Sequence, residues 1–239
     1  MVTGAFFEIV WSAPAVSEVL AAQGVDWLFL DAEHGPLKTA ELLAILQTAG
    51  DRVPCLVRVA AAGEVFVKKA LDLGAAGIIV PLVNTVEQAA AVVRWSRYSP
   101  DGARGVGLSR AQGYGASFAE YLPSANESIV VGVQAEHIDA VDNIASIVQV
   151  PGIDAVLIGP YDLSASLGKM GQVTDSEVTS AIDRVTQACR KAEVPMGIFL
   201  VSADAVKPWI ERGFTLVVAG VDTSLPGEAA GRLLSELRT

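Results

Sequence analysis

Ala155-Val156-Leu157-Ile158-Gly159-Pro160-Tyr161-Asp162-Leu163-Ser164 reads as a strand that ends in a turn and delivers an acid. Its first four residues form an unbroken apolar block. A strand with one wet face alternates, whereas a strand covered on both faces is apolar throughout, and such strands belong to parallel sheets. Seven further apolar runs lie at residues 5–10, 27–30, 55–59, 77–83, 129–133, 195–201 and 216–219, and most are likewise continuous. Between them lie helical patterns. Ile182, Val185, Cys189 and Ala192 make an apolar stripe at helical spacing. Val65 to Asp72 makes another, closed by Gly74 as a stop signal. Eight strand-like runs joined by helical connectors predict an α/β protein, a single-domain (β/α)8 TIM barrel over residues 1–239. An open doubly wound sheet is the alternative that the pattern alone leaves. The Gly- and Arg-rich segment 96–128 reads as one long functional loop, or one ordered by a partner.

Composition narrows the function. Of 239 residues, 51% are hydrophobic and 18% charged, which excludes a disordered chain. Seventeen Lys+Arg against 27 Asp+Glu leave a net charge of −10, unsuited to a phosphate backbone or an anionic membrane surface. No apolar run is long enough to span a bilayer. Cys55 and Cys189 sit in apolar periodic segments and read as core thiols with no disulfide framework. No leader pattern is seen, so the expected location is cytoplasmic.

In a parallel barrel the chemistry gathers at the carboxyl ends of the strands. Those ends carry Asp31-Ala32-Glu33-His34, Arg58, Gln134-Ala135-Glu136-His137 and Gly159-Pro160-Tyr161-Asp162, with blander ends at Trp11-Ser12, Asn84, Ser202 and Asp222. Gln134 and Glu136 are two apart and so face the same way on a strand, as do Asp31 and Glu33. A carboxylate inside a barrel needs a partner or a cation. Carboxylates without cysteine, in a chain with two histidines, favour a hard cation such as Mg²⁺ or Mn²⁺. Plainer readings stand beside these. Asp162 reads also as a helix cap, Glu136 as a surface acid, His34 as a loop histidine, Asp72 as a solvated charge, and Lys68-Lys69 as a solvated helix face. Arg58 at a strand end calls for an acidic partner.

Taken together, these motifs make the chain similar to the HpcH/HpaI aldolases, metal-dependent class II 4-hydroxy-2-oxo-acid aldolases of (β/α)8 fold. The carriers are Asp26-Trp27-Leu28-Phe29-Leu30-Asp31-Ala32-Glu33-His34-Gly35-Pro36, Val57-Arg58-Val59, Leu71-Asp72-Leu73-Gly74-Ala75 and Val80-Pro81-Leu82-Val83. Arg97-Tyr98-Ser99-Pro100-Asp101-Gly102-Ala103-Arg104-Gly105, Gln134-Ala135-Glu136 and the stretch from Ile158 to Gly168 complete the set.

The resemblance implies retro-aldol cleavage of a 4-hydroxy-2-oxo acid to pyruvate and an aldehyde, through a metal-stabilised enolate. It implies Glu136 and Asp162 as ligands of a divalent metal, Mg²⁺ or Mn²⁺ with Co²⁺ as a further option, and no organic cofactor. Arg58 would hold the keto acid with Gln134 beside it, and backbone at Gly159 and Tyr161-Asp162 would receive the carboxylate. His34 and Asp72 would form a dyad that organises the water acting as base. Phe199 and Tyr161 would line the aldehyde side, where a tyrosine at 161 and Glu8 in the first strand depart from the family pattern. A homohexamer with an exchanged C-terminal helix is also implied, and 228–237 carries Ala229, Leu233, Leu234 and Leu237 at helical spacing. An imine mechanism lacks a candidate, because none of the six lysines lies on a predicted strand. The rival readings are an acyl-CoA lyase or oxaloacetate decarboxylase of the same superfamily, and a catalytically silent metabolite-binding barrel.

Overall fold

The structure, a computed structural model, describes residues 4–9, 13–200 and 202–238, with the side chains of 4–7 and 203 left aside. The strand end expected at Trp11-Ser12 lies outside the described residues. Eight parallel strands close into a barrel in sequence order. They are β1 (Gly4–Ile9), β2 (Trp27–Asp31), β3 (Cys55–Arg58), β4 (Gly77–Val80), β5 (Val130–Ala135), β6 (Ala155–Ile158), β7 (Met196–Leu200) and β8 (Leu216–Val221). The open-sheet alternative is thereby excluded.

The unbroken apolar blocks serve two cores. Trp27, Phe29, Leu56, Ile79, Leu157 and Val218 point inward and fill the barrel. Leu28, Leu30, Val57, Ile78, Val156 and Val217 point outward against the helices. Small residues make the interior fit: a Cβ on Gly132 of β5 would stand 2.5 Å from Ile79 Cδ1. The same alternation sets the mouth. Counting on by twos from the inward residues reaches Asp31 on β2, Arg58 on β3, Gln134 on β5 and Gly159 after β6. Asp31 and Arg58 are register partners on neighbouring strands.

The helices that cover the barrel include α1 (Pro14–Ala21), α2 (Thr39–Ala49), α3 (Glu64–Asp72), α4 (Val86–Ser96), α5 (Phe118–Ser128) and α6 (Ile138–Ile147). They continue with α7 (Pro160–Ser166), α8 (Ser176–Ala192), α9 (Val206–Glu211) and α10 (Ser224–Leu237). Ile182, Val185 and Cys189 of the stripe on α8 are buried, as their spacing predicts, and Ala192 is partly buried. Gly74 ends the α3 segment at φ +89°.

The segment 96–128 corrects its reading as one loop. It contains a 3₁₀ turn (Arg110–Gly115) and then α5. Three arginines pin it to the amino-terminal face of the barrel. Arg97 pairs with Asp154 at 2.9 Å, Arg104 with Asp72 at 2.8 Å, and Arg110 donates to the carbonyls of Leu73 and Leu46. In its own chain it stands at the end away from the mouth.

Candidate active site

The mouth holds a cavity of about 300 Å³ lined by Glu8, Asp31, His34, Arg58, Gln134, Gly159, Pro160, Tyr161, Asp162 and Phe199. It brings together seven of the residues singled out from sequence: His34, Arg58, Gln134, Gly159, Tyr161, Asp162 and Phe199. Glu136 stands directly behind the wall, bonded to Gln134.

Arg58 organises the β1–β3 side. Its Nε donates to Asp31 Oδ1 at 2.9 Å, and its Nη2 lies 2.9 Å from Asp31 Oδ2. Nη2 also reaches Glu8 Oε1 at 3.2 Å, Nε reaches Glu33 Oε2 at 3.3 Å, and the guanidinium carbon stands 5.2 Å from the Phe29 ring centre. Asp31 is fully buried. Burial alone would raise its pKa. The hydrogen bond and charge of Arg58, with the backbone N–H groups of Glu33 and His34, outweigh that and hold it below the usual carboxylate range. Glu8 has less help. Burial pushes it up to about 7 against the opposing charge of Arg58, and Asp31 and Asp222 add to the rise. Burial raises Glu33 as well.

The β5–β6 side has carboxylates and, among the described residues, no cation paired with them. Glu136 is 4% exposed, which excludes the surface-acid reading. The Leu82 N–H donates to its Oε1 at 2.9 Å, and Gln134 Nε2 donates to its Oε2. Burial pushes Glu136 up to about 7, with the charges of Glu33 and Asp162 adding to the rise. Leu82 sits at φ 52°, a left-handed conformation unfavourable for leucine, and this aims its N–H at the carboxylate. Gly159 makes the approach possible, because a Cβ there would stand 3.0 Å from Glu136 Oε2. Asp162 is exposed, in the first turn of α7. Gly159 occupies the cap position, so the helix-cap reading of Asp162 is set aside.

Sequence reasoning missed two partners here. Glu8 was noted only as a departure, although Ile9 points outward and alternation therefore puts Glu8 inside. Leu82 acts through its backbone, which no residue type announces.

His34 stands at the rim with its side chain 69% exposed and Nε2 3.8 Å from Glu33 Oε2. Asp72 is not beside it. It ends α3, which leads into the start of β4, whereas His34 follows the end of β2, so the two stand at opposite ends of one barrel. In the chain the partner of Asp72 is Arg104, whose side chain is fully buried and stacks on the Tyr98 ring. A His34–Asp72 dyad within one chain is therefore excluded, as is the fully solvated reading of Asp72.

The donor set suits a hard divalent cation. Glu136 and Asp162 offer carboxylate oxygens, and the buried Gln134 Oε1 has no hydrogen-bond partner. Among the described residues no group of three or more His, Cys, Asp and Glu is arranged to hold a metal. Two carboxylates match an open site that leaves positions for water and substrate. No lysine lines the cavity or lies on a described strand.

Known proteins resemble this chain. The chain is 42% identical over 211 residues to a 4-hydroxy-2-oxovalerate aldolase of Rhodococcus jostii, covering 87% of this chain and 81% of that protein. It is 38% identical over 220 residues to a 4-hydroxy-2-oxo-heptane-1,7-dioate aldolase of Klebsiella pneumoniae, covering 91% and 83%. A crystal structure of a Burkholderia cenocepacia family protein superposes with a TM-score of 0.95 at 34% identity, over 99% of this chain and 95% of that one. The pattern described as HpcH/HpaI aldolase/citrate lyase matches residues 9–228. With this pattern matched over residues 9–228 and relatives of this identity over most of its length, the chain belongs to the HpcH/HpaI aldolase/citrate lyase family.

Proposed function

We propose that the chain is a class II pyruvate aldolase, a carbon–carbon lyase that cleaves a 4-hydroxy-2-oxo acid to pyruvate and an aldehyde and runs the reverse addition. The observation that carries this reading is Glu136, a buried carboxylate beside Asp162 and Gln134 that forms no ion pair among the described residues and feels Arg58 only at longer range. Glu136 and Asp162 would hold Mg²⁺, Mn²⁺ or Co²⁺. When bound, the ion supplies a Lewis acid to the 2-oxo acid.

The chain's own groups do the rest. Arg58, aligned by three carboxylates, presents fixed positive charge where negative charge develops on the 2-oxo group. Gln134 and the backbone at Gly159 and Tyr161 bound the keto-acid end. The C4 hydroxyl loses its proton to a water held at His34, and the C3–C4 bond breaks. Its electron pair runs toward the 2-oxo group, and C3 then regains a proton to become the pyruvate methyl. Phe199 and Tyr161 border the aldehyde. The absence of a lysine among the cavity residues supports this route over an imine.

An oligomer completes the reading. No residue of α10 is buried, and Leu233, Leu234 and Leu237 are exposed, as a helix that covers a neighbouring subunit requires. In such a homo-oligomer, a hexamer by family likeness, Asp72 meets a His34 only across a subunit boundary. A monomeric mass by light scattering would remove this part. No helix among the described residues is long and apolar enough to cross a membrane, and a cytoplasmic enzyme fits the two reduced, buried thiols.

The test of the activity needs no knowledge of the aldehyde. Deuterium uptake into the pyruvate methyl group is followed by proton NMR in D₂O, with Mg²⁺ or Mn²⁺ and then with a chelator. Exchange that requires the ion is expected. No exchange with any divalent ion would overturn the assignment and favour the lyase of thioesters or the silent barrel.

A further inference from the structure

We propose that Glu8 sets the acceptor specificity of this site, so that it takes neutral, hydroxyl-bearing aldehydes and rejects aldehydes carrying a second carboxylate. The inference deepens the aldolase reading and rests on it.

The position of Glu8 comes first. In a closed eight-stranded barrel β1 lies across from β5. Glu8 is opposite Phe29 in the β1–β2 register and beside Val221 of β8. A 2-oxo acid held by Gln134, Glu136 and Asp162, with its 2-oxo group toward Arg58, extends across the cavity along the wall where Glu8 stands beside Arg58. Phe199 and Tyr161 flank that path, and Glu8 stands on the wall it reaches.

The charges along the path come second. Glu8, Asp31 and Asp162 line the cavity, and Arg58 is the one permanent cation among the described lining residues. That cation is already shared by Asp31, Glu8 and Glu33. His34 is at the rim and mostly exposed. A second carboxylate on the acceptor thus meets no cation of its own, and like charges brought together in a desolvated site are strongly disfavoured. A hydroxyl in the same place finds in Glu8 a strong hydrogen-bond acceptor. Identity to relatives does not decide the matter, since those named above take their names from a monoacid and from a diacid.

The test uses two acceptors that differ only at the terminal carbon: glyceraldehyde, ending in CH₂OH, and tartronate semialdehyde, ending in a carboxylate. Pyruvate addition to each is measured at pH 8 with Mn²⁺ for the wild type and for Glu8→Gln, which keeps shape and removes charge. For the wild type, kcat/KM for glyceraldehyde is expected to exceed that for the acid by at least about tenfold. In Glu8→Gln that ratio is expected to fall at least about fivefold, through a lower KM for the acid. A purely structural role for Glu8 would lower activity on both acceptors and leave their ratio in place, which overturns the proposal. A wild type that takes the acid as well as glyceraldehyde overturns it even if Glu8→Gln fails to fold. Pyruvate methyl exchange in the same wild-type sample separates the two readings. Exchange with an unselective ratio sinks the role of Glu8 alone, and absent exchange with absent addition sinks both.

Discussion

Asp31 and Glu136 are carboxylates at the same mouth, each at an inward position near a strand end and each nearly free of solvent, yet their environments push them in opposite directions. Asp31 has a bidentate partner in Arg58 and two backbone donors, and stays ionised below the usual range. Glu136 has one backbone donor and one amide, and rises to about 7. Desolvation is common to both; the difference is a guanidinium. One side of the barrel carries its own counter-charge; on the other, among the described residues, no cation pairs with the acids, and the proposed ion would supply that charge.

Breaking the second side should have the largest effect. Glu136→Ala is expected to reduce metal-stimulated pyruvate methyl exchange by about a thousandfold or more, while far-ultraviolet circular dichroism stays unchanged. Exchange at the wild-type rate would detach Glu136 from the chemistry.

Stability in the presence of chelator sharpens the contrast, because matched neutral substitutions should act with opposite sign. Asp31→Asn breaks a buried pair and is expected to cost about 3 kcal/mol, or about 6–12 °C in Tm for a chain of this size. Glu136→Gln removes an ionised group that the fold disfavours. The native state holds that proton up to about 7 and the unfolded chain releases it near the ordinary value of 4.5, so the cost of ionisation grows as pH rises between them. At pH 8 the variant is expected to gain about 1–3 kcal/mol. Two losses of equal size by thermal unfolding would erase the distinction between the sides.

A smaller effect is expected from the glycine that lets them meet. Gly159→Ala puts a methyl 3.0 Å from Glu136 Oε2. It should weaken Mn²⁺ binding about 10- to 100-fold without removing any polar group, measured by titration of the ion's water relaxation.

How far the residues announce this site depends on which chemistry each uses. The barrel is readable because strands buried on both faces cannot alternate, and residues 155–158 show that at once. Gln134, Glu136, Arg58 and Asp162 are readable because polar and charged groups at the ends of apolar blocks of a barrel gather at the mouth. Leu82 is not readable, since its contribution is a left-handed backbone at φ 52° that leucine does not advertise. Nor is α5, which holds Pro123 and buries only Ala125, and so lacks an apolar stripe. Asp72 teaches a different lesson. Family likeness lends it a role beside His34, but a residue that ends a helix leading into a strand belongs to the far end of its own barrel. Topology limits what a motif can do within one chain.

Glu8 lies between the two behaviours, and its pH dependence gives the finest test. It has the cation that Glu136 lacks, yet burial and the nearby Asp31 and Asp222 still lift it to about 7. Below pH 4.5 the carboxyl is protonated in native and unfolded states alike and contributes nothing. Between 4.5 and 7 the unfolded chain releases the proton and the native state keeps it, so wild-type stability falls through that window and levels off above it. Glu8→Gln has no such term, though it also weakens the contact with Arg58. The Tm of the variant relative to the wild type is therefore expected to rise by about 2–4 °C between pH 5 and pH 8, about 1 kcal/mol. Asp31→Asn should show the reverse sense at the acid end, because the stability given by Asp31 is present above 3.8 and is lost as pH falls through its lowered native value. Parallel curves for Glu8→Gln and wild type would mean that Arg58 offsets the burial of Glu8 in full and leaves its carboxyl unshifted, and the guanidinium would then be shared with Glu8 instead of committed to Asp31.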